Sequence, residues 1–331
     1  MLKEALAPGT LPPGLRVYAI GDVHGCADRL AALHAMIAAD ALARPVGASA
    51  GPPGGDRRAP PARPLPTRPL PAKHLSARPM ADREAGRGAD PGGLPRPAQV
   101  PPGAGPIRPA RLPLPGHAAS GPWPPPAPGH SLGHSLGHSP GRIILVHLGD
   151  YIDRGPDSAR VLERLLGPPP VPGAEVVNLV GNHEVMMLDA ADPRAHPGAL
   201  AFWLENGGAE TLASYGASPH DRDPFGPVPD GHLSLLRRCA LRWAAGDYLF
   251  VHAGIRPGVP LERQDPFDLL WIREPFLSFE DDLPHVVVHG HTPAAAPVVR
   301  PHRIGIDTGA CFGGDLTCVV LEDRRLGFLA A

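Results

Sequence analysis

The chain has 331 residues, which is long enough for one large hydrophobic core or two small ones. Its 40 glycines and 47 prolines far exceed average usage, so much of the length cannot belong to a core. A formal charge of −2, from 31 basic and 33 acidic residues, gives no electrostatic reason to expect nucleic acid or a membrane as the main partner.

The cysteines and the first residues indicate a cytoplasmic protein. The four cysteines form no CxxC pair and lack the density of a disulfide scaffold, which favours a reduced setting. The N-terminus lacks the uninterrupted apolar stretch of a secretory signal, and no segment approaches the roughly 18 apolar residues of a membrane span. Cys26 and Cys311 lie near motifs described below, and we interpret both as structural thiols.

The first predicted element is a short apolar strand, residues 15–20, which leads directly into the sequence GDVHG. Side chains two apart project to the same side of an extended chain, so Asp22 and His24 can face one site where the strand ends. Leucines at near-helical spacing then predict a helix from Asp28 to Leu42, with Asp28 as its N-cap.

Residues 45–141 are predicted to be a disordered insertion. Hydrophobic periodicity disappears here, and more than half of the prolines of the chain are concentrated here. Such a composition offers too little apolar surface to offset an ordering cost of roughly 1–2 kcal/mol per residue. Near its end, GHSLGHSLGHSPG repeats His130, His134 and His138, which indicates either a weak metal-binding tract or, as we favour, a low-complexity linker.

The chain is organised around GDYIDRG, which follows the apolar run 143–146. This sequence places the carboxylates of Asp150 and Asp153 and the guanidinium of Arg154 at the end of a predicted buried strand. Gly149 and Gly155 let the backbone turn sharply around these side chains. A metal and a phosphate would fit at such a turn.

The remaining elements repeat this pattern of a strand that ends in polar side chains. A strand over 176–180 leads to GNHE, a strand over 247–251 leads to HAG, and a strand over 286–288 leads to HGHT. We interpret 199–216 as a cap or substrate wall, with Trp203 and Trp271 as core or wall aromatics. We also predict a helix over 233–243 and a closing hairpin of 303–308 with 316–321.

Five strand ends thus deliver six candidate ligands: Asp22, His24, Asp150, Asn182, His252 and His291. Carboxylate, amide and imidazole together suit transition metals of borderline hardness. A carboxylate shared by two ions would hold them about 3.5–4 Å apart around a bridging water, and the central Asp150 is best placed for this. By contrast, His147 and His289 lie in or at the end of apolar strands, and we expect them to be packed rather than to bind metal.

In this order, GDVHG, GDYIDRG, GNHE, HAG and HGHT resemble the signature of the calcineurin-like metallophosphoesterases. The closer resemblance is to the phosphoprotein phosphatases, and WLENGGAETLASYG, LLWIREPF and RIGIDTGACFGG resemble their bacterial serine/threonine branch. The resemblance covers 15–42 and 142–325. It implies an α/β/β/α sandwich of two central mixed sheets flanked by helices, formed by residues 1–44 and 142–331.

The resemblance also implies the roles of the site residues. Asp22, His24 and the bridging Asp150 would hold the first of two divalent ions, and Asp150, Asn182, His252 and His291 would hold the second. Manganese is the expected ion, with iron or zinc as alternatives. His183 would be the general acid, oriented by Asp153, during in-line attack by a metal-bridging hydroxide, while Arg154, Arg273 and Asn182 would contact the phosphate.

Two departures from the wider pattern matter. The insertion is not part of the family pattern, but it falls where a surface loop can lengthen without disturbing the site. Pro293 stands two residues after His291, where the wider superfamily often has a further histidine, and the phosphoprotein phosphatases share that absence.

Three functions fit these features. The first is a serine/threonine protein phosphatase, or one of dual specificity, whose partner is a phosphoprotein or phosphopeptide. The alternative is a symmetrical dinucleoside polyphosphate hydrolase, because the end of the chain also resembles that class. The third is an inactive scaffold that binds partners through the proline-rich insertion, against which the complete ligand set argues.

Overall fold

The computed structural model of the protein describes residues 5–46 and 141–331. These residues form two mixed β-sheets with flanking helices, which confirms the predicted α/β/β/α architecture. Nearly all of the predicted insertion, including the three-histidine repeat, lies outside the described residues. Within them, no helix is both long and apolar enough to cross a membrane.

The strands are β1 (Ala5–Leu6), β2 (Leu15–Ile20), β3 (Arg142–His147), β4 (Glu175–Asn178), β5 (Arg242–Ala245), β6 (Tyr248–Val251), β7 (Val286–His289), β8 (Val298–Arg300), β9 (Arg303–Gly305), β10 (Thr317–Glu322) and β11 (Arg325–Ala330). The α-helices are α1 (Ala27–Ala43), α2 (Ser158–Leu166), α3 (Asn182–Ala191), α4 (Ala199–Trp203), α5 (Ala209–Ser214), α6 (Asp230–Arg238) and α7 (Pro266–Trp271). A π-helical turn, Leu204–Gly208, joins α4 to α5, and 3₁₀ turns occupy Leu261–Arg263 and Ala310–Phe312.

The first sheet has the strand order β1-β11-β10-β2-β3-β4, and the second has the order β5-β6-β7-β9-β8. Strands β2, β3 and β4 run parallel to one another, as do β6, β7 and β9. The carboxyl ends of parallel neighbours meet at one edge of a sheet, so the loops after these strands are brought together.

Alternating side chains bury both faces of the central strands. On β2, Val17 and Ala19 join a core cluster that also contains Phe250 of β6 and Val288 of β7, so this cluster links the two sheets. The intervening Tyr18 of β2 belongs to a second cluster, which includes the apolar faces of α1, α2 and α3. Strands buried on both faces read as near-continuous apolar runs, as the sequence of these strands does.

Three predictions about individual elements are wrong. The predicted closing hairpin does not form, because β9 pairs with β7 and β8 in the second sheet, whereas β10 pairs with β2 and β11 in the first. The predicted helix over 233–243 instead begins at Asp230 and ends at Arg238, and β5 follows. Asp28 lies in the first turn of α1, and the N-cap position belongs to Cys26, which makes no side-chain capping bond.

Candidate active site

The polar side chains predicted from five strand ends converge in the structure. Side-chain ligand atoms of Asp150, His24 and His183 lie within 4.8 Å of one another, and so do those of Asp150, His252 and His291. Asp150 therefore belongs to both groups, in agreement with its central place in the sequence. All five side chains are buried.

The backbone around the site adopts left-handed conformations, which residues other than glycine rarely adopt. Six non-glycine residues in the described part of the chain have positive φ, and five of them carry candidate site side chains: His24, Asp150, Asp153, Arg154 and His291. Such conformations persist only where the surroundings enforce them, and they cluster at functional sites.

Glu184, which we did not predict as a site residue, holds the central loop in place. Its Oε2 accepts from the backbone N–H groups of Asp150 and Gly181, and its Oε1 accepts from that of Tyr151, each at 2.8 Å. Burial, with the nearby Asp150 charge, raises the pKa of Glu184 to about 8. Glu184 lies three residues after the N-cap Gly181 of α3, the spacing at which a glutamate accepts from the N-cap backbone N–H, and this spacing could have revealed its role.

In one half of the site, hydrogen-bond acceptors face one another. His252 Nδ1 lies 2.9 Å from the carbonyl oxygen of Leu148, so Nδ1 carries the proton and Nε2 presents a lone pair. That lone pair points at Asn182 Oδ1, 3.0 Å away, and His291 Nδ1 lies 3.0 Å from the same oxygen. A cation placed between His252 Nε2 and Asn182 Oδ1 would turn the repulsion of these two acceptors into coordination.

Asp22 joins the site through a backbone contact. Its Oδ2 accepts from the backbone N–H of His291 at 2.9 Å, whereas its buried Oδ1 has no hydrogen-bond partner among the described residues. Burial first, and then the charges of Asp307 and Asp150, raise the pKa of Asp22 well above its usual value. Buried carboxylates that repel one another are suited to a bound cation, which would offset this cost.

Asp307 is a second side chain that the sequence reasoning missed. Its Oδ1 accepts from the backbone N–H of Gly309 at 3.0 Å, and burial raises the pKa of its carboxyl to about 6. The motif RIGIDTGACFGG contains this residue, but an aspartate before Thr-Gly is equally typical of a turn, so spacing alone did not reveal it.

His24 contacts Arg154. His24 Nδ1 lies 2.9 Å from the carbonyl oxygen of Ile152, and its Nε2 accepts from Arg154 Nη1 at 2.7 Å. Burial lowers the pKa of His24 to about 3, so the imidazole is neutral, which is the state in which histidine binds metals. The Arg154 guanidinium also lies 5.6 Å from the centre of the exposed Phe312 ring.

His183 and Asp153 form the predicted pair. His183 Nδ1 lies 2.7 Å from Asp153 Oδ2, and both side chains are buried. Burial lowers the pKa of His183, but the charges of Asp150 and Asp153 and the hydrogen bond to Asp153 outweigh it, so the net pKa is raised. An imidazole with a raised pKa retains the proton that a general acid must donate.

The segment 199–216, predicted to be a cap or substrate wall, contacts Asp153 through two of its side chains. Trp203 is fully buried and donates from Nε1 to both carboxylate oxygens of Asp153, at 2.8 and 3.0 Å. Thr211 Oγ1 donates to Asp153 Oδ1 at 2.7 Å. The half-buried Trp271 does line the site, with its ring centre 6.2 Å from that of His291.

Arg273 is exposed, and its guanidinium makes no hydrogen bond or ion pair with the described part of the chain. Its charge nevertheless reaches the site. Burial first, then His252 and more weakly Arg273, lower the pKa of His291 well below its usual value. The structure therefore keeps His291 neutral and leaves Arg273 available to a ligand at the rim.

The other histidines near the motifs are packed. His147 Nε2 lies 3.2 Å from His34 Nε2, and His147 Nδ1 lies 2.9 Å from Asn178 Oδ1. His289 packs edge-on against Phe276 with ring centres 5.1 Å apart. Burial raises the pKa values of Cys26 and Cys311, in keeping with unreactive thiols.

The residues present fit two divalent cations. Neutral imidazoles, carboxylates and an amide oxygen supply the donor set, and Asp22 Oδ1 and His291 Nε2 are buried without partners in the described structure. Gly181 and Gly290 leave space for the carboxylates, since a Cβ there would lie 2.1 Å from Asp150 Oδ1 and 1.9 Å from Asp22 Oδ1.

Comparison with known proteins agrees with this chemistry. A family model described as calcineurin-like phosphoesterase matches residues 134–327. A symmetrical bis(5′-nucleosyl)-tetraphosphatase from Acidovorax is 37% identical over 118 residues, which span 36% of this chain and 36% of that protein. Serine/threonine-protein phosphatase 1 from Salmonella typhimurium is 30% identical over 195 residues, 55% of this chain and 81% of that protein. An asymmetrical bis(5′-nucleosyl)-tetraphosphatase from Bacillus thuringiensis is 28% identical over 192 residues, 53% of this chain and 74% of that protein.

Proposed function

The chain belongs to the calcineurin-like phosphoesterase family and is a phosphoester hydrolase, and on that premise we propose that it removes phosphate from phosphoserine and phosphothreonine in proteins. The observation that carries the proposal is the position of the His183–Asp153 pair. It lies directly beside a group of acceptors that can hold cations, with Asp150 in both candidate metal groups. A proton donor beside a Lewis-acid site is what cleavage of an ester with a basic leaving group requires.

We propose that two divalent ions, manganese or else iron or zinc, occupy this site. Asp22, His24 and Asp150 would hold the first ion, and Asp150, Asn182, His252 and His291 would hold the second. When bound, such ions polarise the phosphoryl oxygens and lower the pKa of a water molecule toward neutrality.

The protein's own residues account for the remaining steps. The raised pKa of His183 favours its protonated form, and Asp153 holds the proton on Nδ1 so that Nε2–H is directed to the leaving oxygen. Arg154 and Arg273 are proposed to bind the phosphate, because the planar guanidinium matches two phosphate oxygens at once. Asn182 would contact the same phosphate.

The similarity to the Salmonella phosphatase supports a protein substrate, because that match extends over most of the relative's length. The matching segment of the Acidovorax tetraphosphatase spans about a third of that relative, but its identity is higher. Symmetrical cleavage of dinucleoside polyphosphates is therefore the second candidate, and it requires the same cations and proton donor.

A direct comparison of substrates tests the proposal. The manganese-loaded protein is assayed with a phosphoserine peptide, a phosphothreonine peptide and diadenosine tetraphosphate under identical conditions. We expect the larger kcat/KM for the phosphopeptides. A larger value for diadenosine tetraphosphate would establish the second candidate, and hydrolysis of neither would refute both.

Further proposals concern the setting of the enzyme. We propose that residues 1–44 and 142–331 form the catalytic domain and that 45–141 is an insertion with its own binding partners. The four cysteines are all free, which supports action in the cytoplasm.

A further inference from the structure

A second segment of the chain encloses the turn that carries the acid pair. We propose that Trp203 and Thr211 are positioning residues that hold Asp153 as an ionised acceptor and so orient His183 toward the leaving group. This inference rests on the proposed phosphomonoesterase activity. The segment 199–216 includes α4, the π-helical turn and α5. Under this inference it orients the Asp153–His183 pair, which a substrate wall would not do.

The hydrogen bonds around Asp153 favour the ionised carboxylate. Burial raises the pKa of this carboxyl, and the hydrogen bonds from its three donors act against that shift. Its two oxygens receive three donors: Trp203 Nε1 at 2.8 and 3.0 Å, Thr211 Oγ1 at 2.7 Å and His183 Nδ1 at 2.7 Å. An indole N–H can only donate, so the oxygens that face it must present lone pairs. The side chain is fully buried, and each donor offsets part of the cost of burying its charge.

The same segment also fixes the backbone of the turn. The backbone N–H of Asp153 donates to Thr211 Oγ1 at 2.8 Å, and that of Arg154 donates to the carbonyl oxygen of Gly207 at 3.1 Å. Asp153 and Arg154 have φ values of 72° and 67°, which are costly for residues with side chains. The segment therefore stabilises the conformation of the turn that carries both Asp153 and Arg154.

The sequence of the segment explains how the indole is held. Gly207 has a φ of 101°, which breaks the helix and turns its carbonyl toward Arg154. A Cβ on Gly208 would lie 2.4 Å from the Trp203 ring, so only glycine allows the indole to pack there. Phe225 stacks on the indole with ring centres 5.5 Å apart and interplanar angle 24°. The donor is thereby fixed in direction.

The consequence for the reaction is a fixed path for one proton. As water oxygen bonds to phosphorus, the electron pair of the breaking P–O bond moves to the leaving oxygen, which takes the proton from His183 Nε2. His183 is then neutral and keeps its Nδ1–H on Asp153, and the proton lost by the attacking water restores the imidazole or passes to solvent. If Asp153 rotated or became protonated, His183 would lose this orientation.

The experiment uses leaving groups that differ in their need for a proton. The leaving phenolate of 2,4-dinitrophenyl phosphate is a weak base and departs without help, whereas that of phenyl phosphate is strongly basic and needs a general acid. The variants are Trp203→Phe and Thr211→Val, each of which removes a donor and keeps most of the shape. Thr211→Ser restores the hydroxyl, and His183→Ala gives the reference profile for a missing acid.

Trp243→Phe is the matched control. Trp243 is half-buried on β5, where its ring packs against Phe250 with centres 5.2 Å apart, in the second sheet and not at Asp153. We expect this variant to hydrolyse both esters at the wild-type rate. It shows what the loss of an indole costs when no donor to Asp153 is involved.

We expect Trp203→Phe and Thr211→Val to lose about 10- to 100-fold in kcat on phenyl phosphate and less than about twofold on the dinitrophenyl ester. Thr211→Ser should stay near wild type on both. Equal losses on the two esters, or no loss on either, would overturn the inference. If Trp203→Phe does not fold, the smaller change Thr211→Val decides.

A spectroscopic measurement does not depend on activity. The His183 Nδ1–H proton should resonate far downfield in the metal-free protein because of its hydrogen bond to Asp153, and both donor-deleting variants should move or broaden this resonance. An unchanged resonance would contradict the inference. The proposed function and the positioning role fail in different ways. A wild-type protein that is inactive on both esters refutes the proposed function. If His183→Ala loses more activity on phenyl phosphate than on the dinitrophenyl ester, but Trp203→Phe and Thr211→Val do not, only the positioning role is refuted.

Discussion

The two halves of the candidate site differ in how their polar atoms are satisfied. Around Asp153, both carboxylate oxygens accept hydrogen bonds from donors within the protein. Around Asn182, by contrast, the ring nitrogens of His252 and His291 point at an amide oxygen, each at 3.0 Å, and Asp22 Oδ1 has no partner among the described residues. The first half is satisfied by donors of the protein, whereas the second presents atoms that could hold a cation.

This difference separates two tasks. A pre-organised proton donor loses less free energy to reorientation during the reaction, so its hydrogen bonds are made within the fold. A metal site must keep lone pairs unpaired until the ion binds, and the fold tolerates this cost because binding then stabilises the protein. Asp150 lies between the two halves and takes part in both candidate metal groups.

The largest expected effect comes from Asp150→Asn, which removes the shared negative charge. We expect the variant to retain neither activity above background nor two equivalents of bound metal, because a neutral amide cannot bridge two cations. Elemental analysis of the purified variant and its kcat on p-nitrophenyl phosphate are the measurements. Asp189→Asn is the control: it removes another buried carboxylate, on α3, and should keep full activity. Full metal content in Asp150→Asn would contradict the shared role.

The next largest effect is expected from His183→Ala. Loss of the general acid should lower kcat on a phosphoserine peptide by about 10²- to 10⁴-fold while both metal equivalents remain. Kinetics and elemental analysis of the same preparation give the two numbers. Because His183 Nε2 also lies 3.9 Å from Asp150 Oδ2, the alternative is that His183 is itself a ligand. If the variant loses one metal equivalent together with its activity, this alternative is supported. The site would then not divide into a proton-donating half and a metal-binding half.

A moderate effect is expected on stability when metal is removed. At a free manganese concentration of about 100 times the dissociation constant, binding should stabilise the fold by about 2.7 kcal/mol. For a domain of this size, that corresponds to an increase in Tm of roughly 5–10 °C. Chelation should reverse the increase, and Asn182→Ala should reduce it, whereas Trp203→Phe should leave it intact. An equal reduction in both variants would mean that the two halves are not independent.

The sequence predicted which polar side chains converge better than it predicted the elements around them. Asp22, His24, Asp150 and His252 each follow a strand that reads as an apolar run, and parallel strands bring their ends together. Local sequence therefore determined where these candidate ligands lie. The positions of β9 and β10 in different sheets depend on long-range pairing, for which periodicity within either strand contains no information.

The supporting residues were harder to predict for a related reason. Trp203 and Thr211 lie 50 and 58 positions along the chain from Asp153, and each is an ordinary helical residue by its local pattern. Their contact with the carboxylate exists only after α4 and α5 pack against the central loop. Asp307 likewise looks like a turn residue until burial and its charged neighbours are known.

The smallest expected effect concerns a third group, His34 on α1 and His147 on β3, which resembles the satisfied half of the site. Their ring nitrogens lie 3.2 Å apart, and burial lowers their pKa values to about 4 and about 3. The stability that depends on the neutral rings is present above the unfolded-state pKa of about 6.5 and is lost as the pH falls toward these folded values.

His34→Gln keeps a donor for His147 but removes one titrating ring. The variant should therefore lie within about 1 kcal/mol of the wild type at pH 8 and gain about 2 kcal/mol relative to it at pH 5, measured by urea unfolding of the metal-free proteins. If the free energy of unfolding changes equally with pH in the two proteins, the pKa of His34 is the same in the folded and unfolded states. That outcome would contradict the prediction.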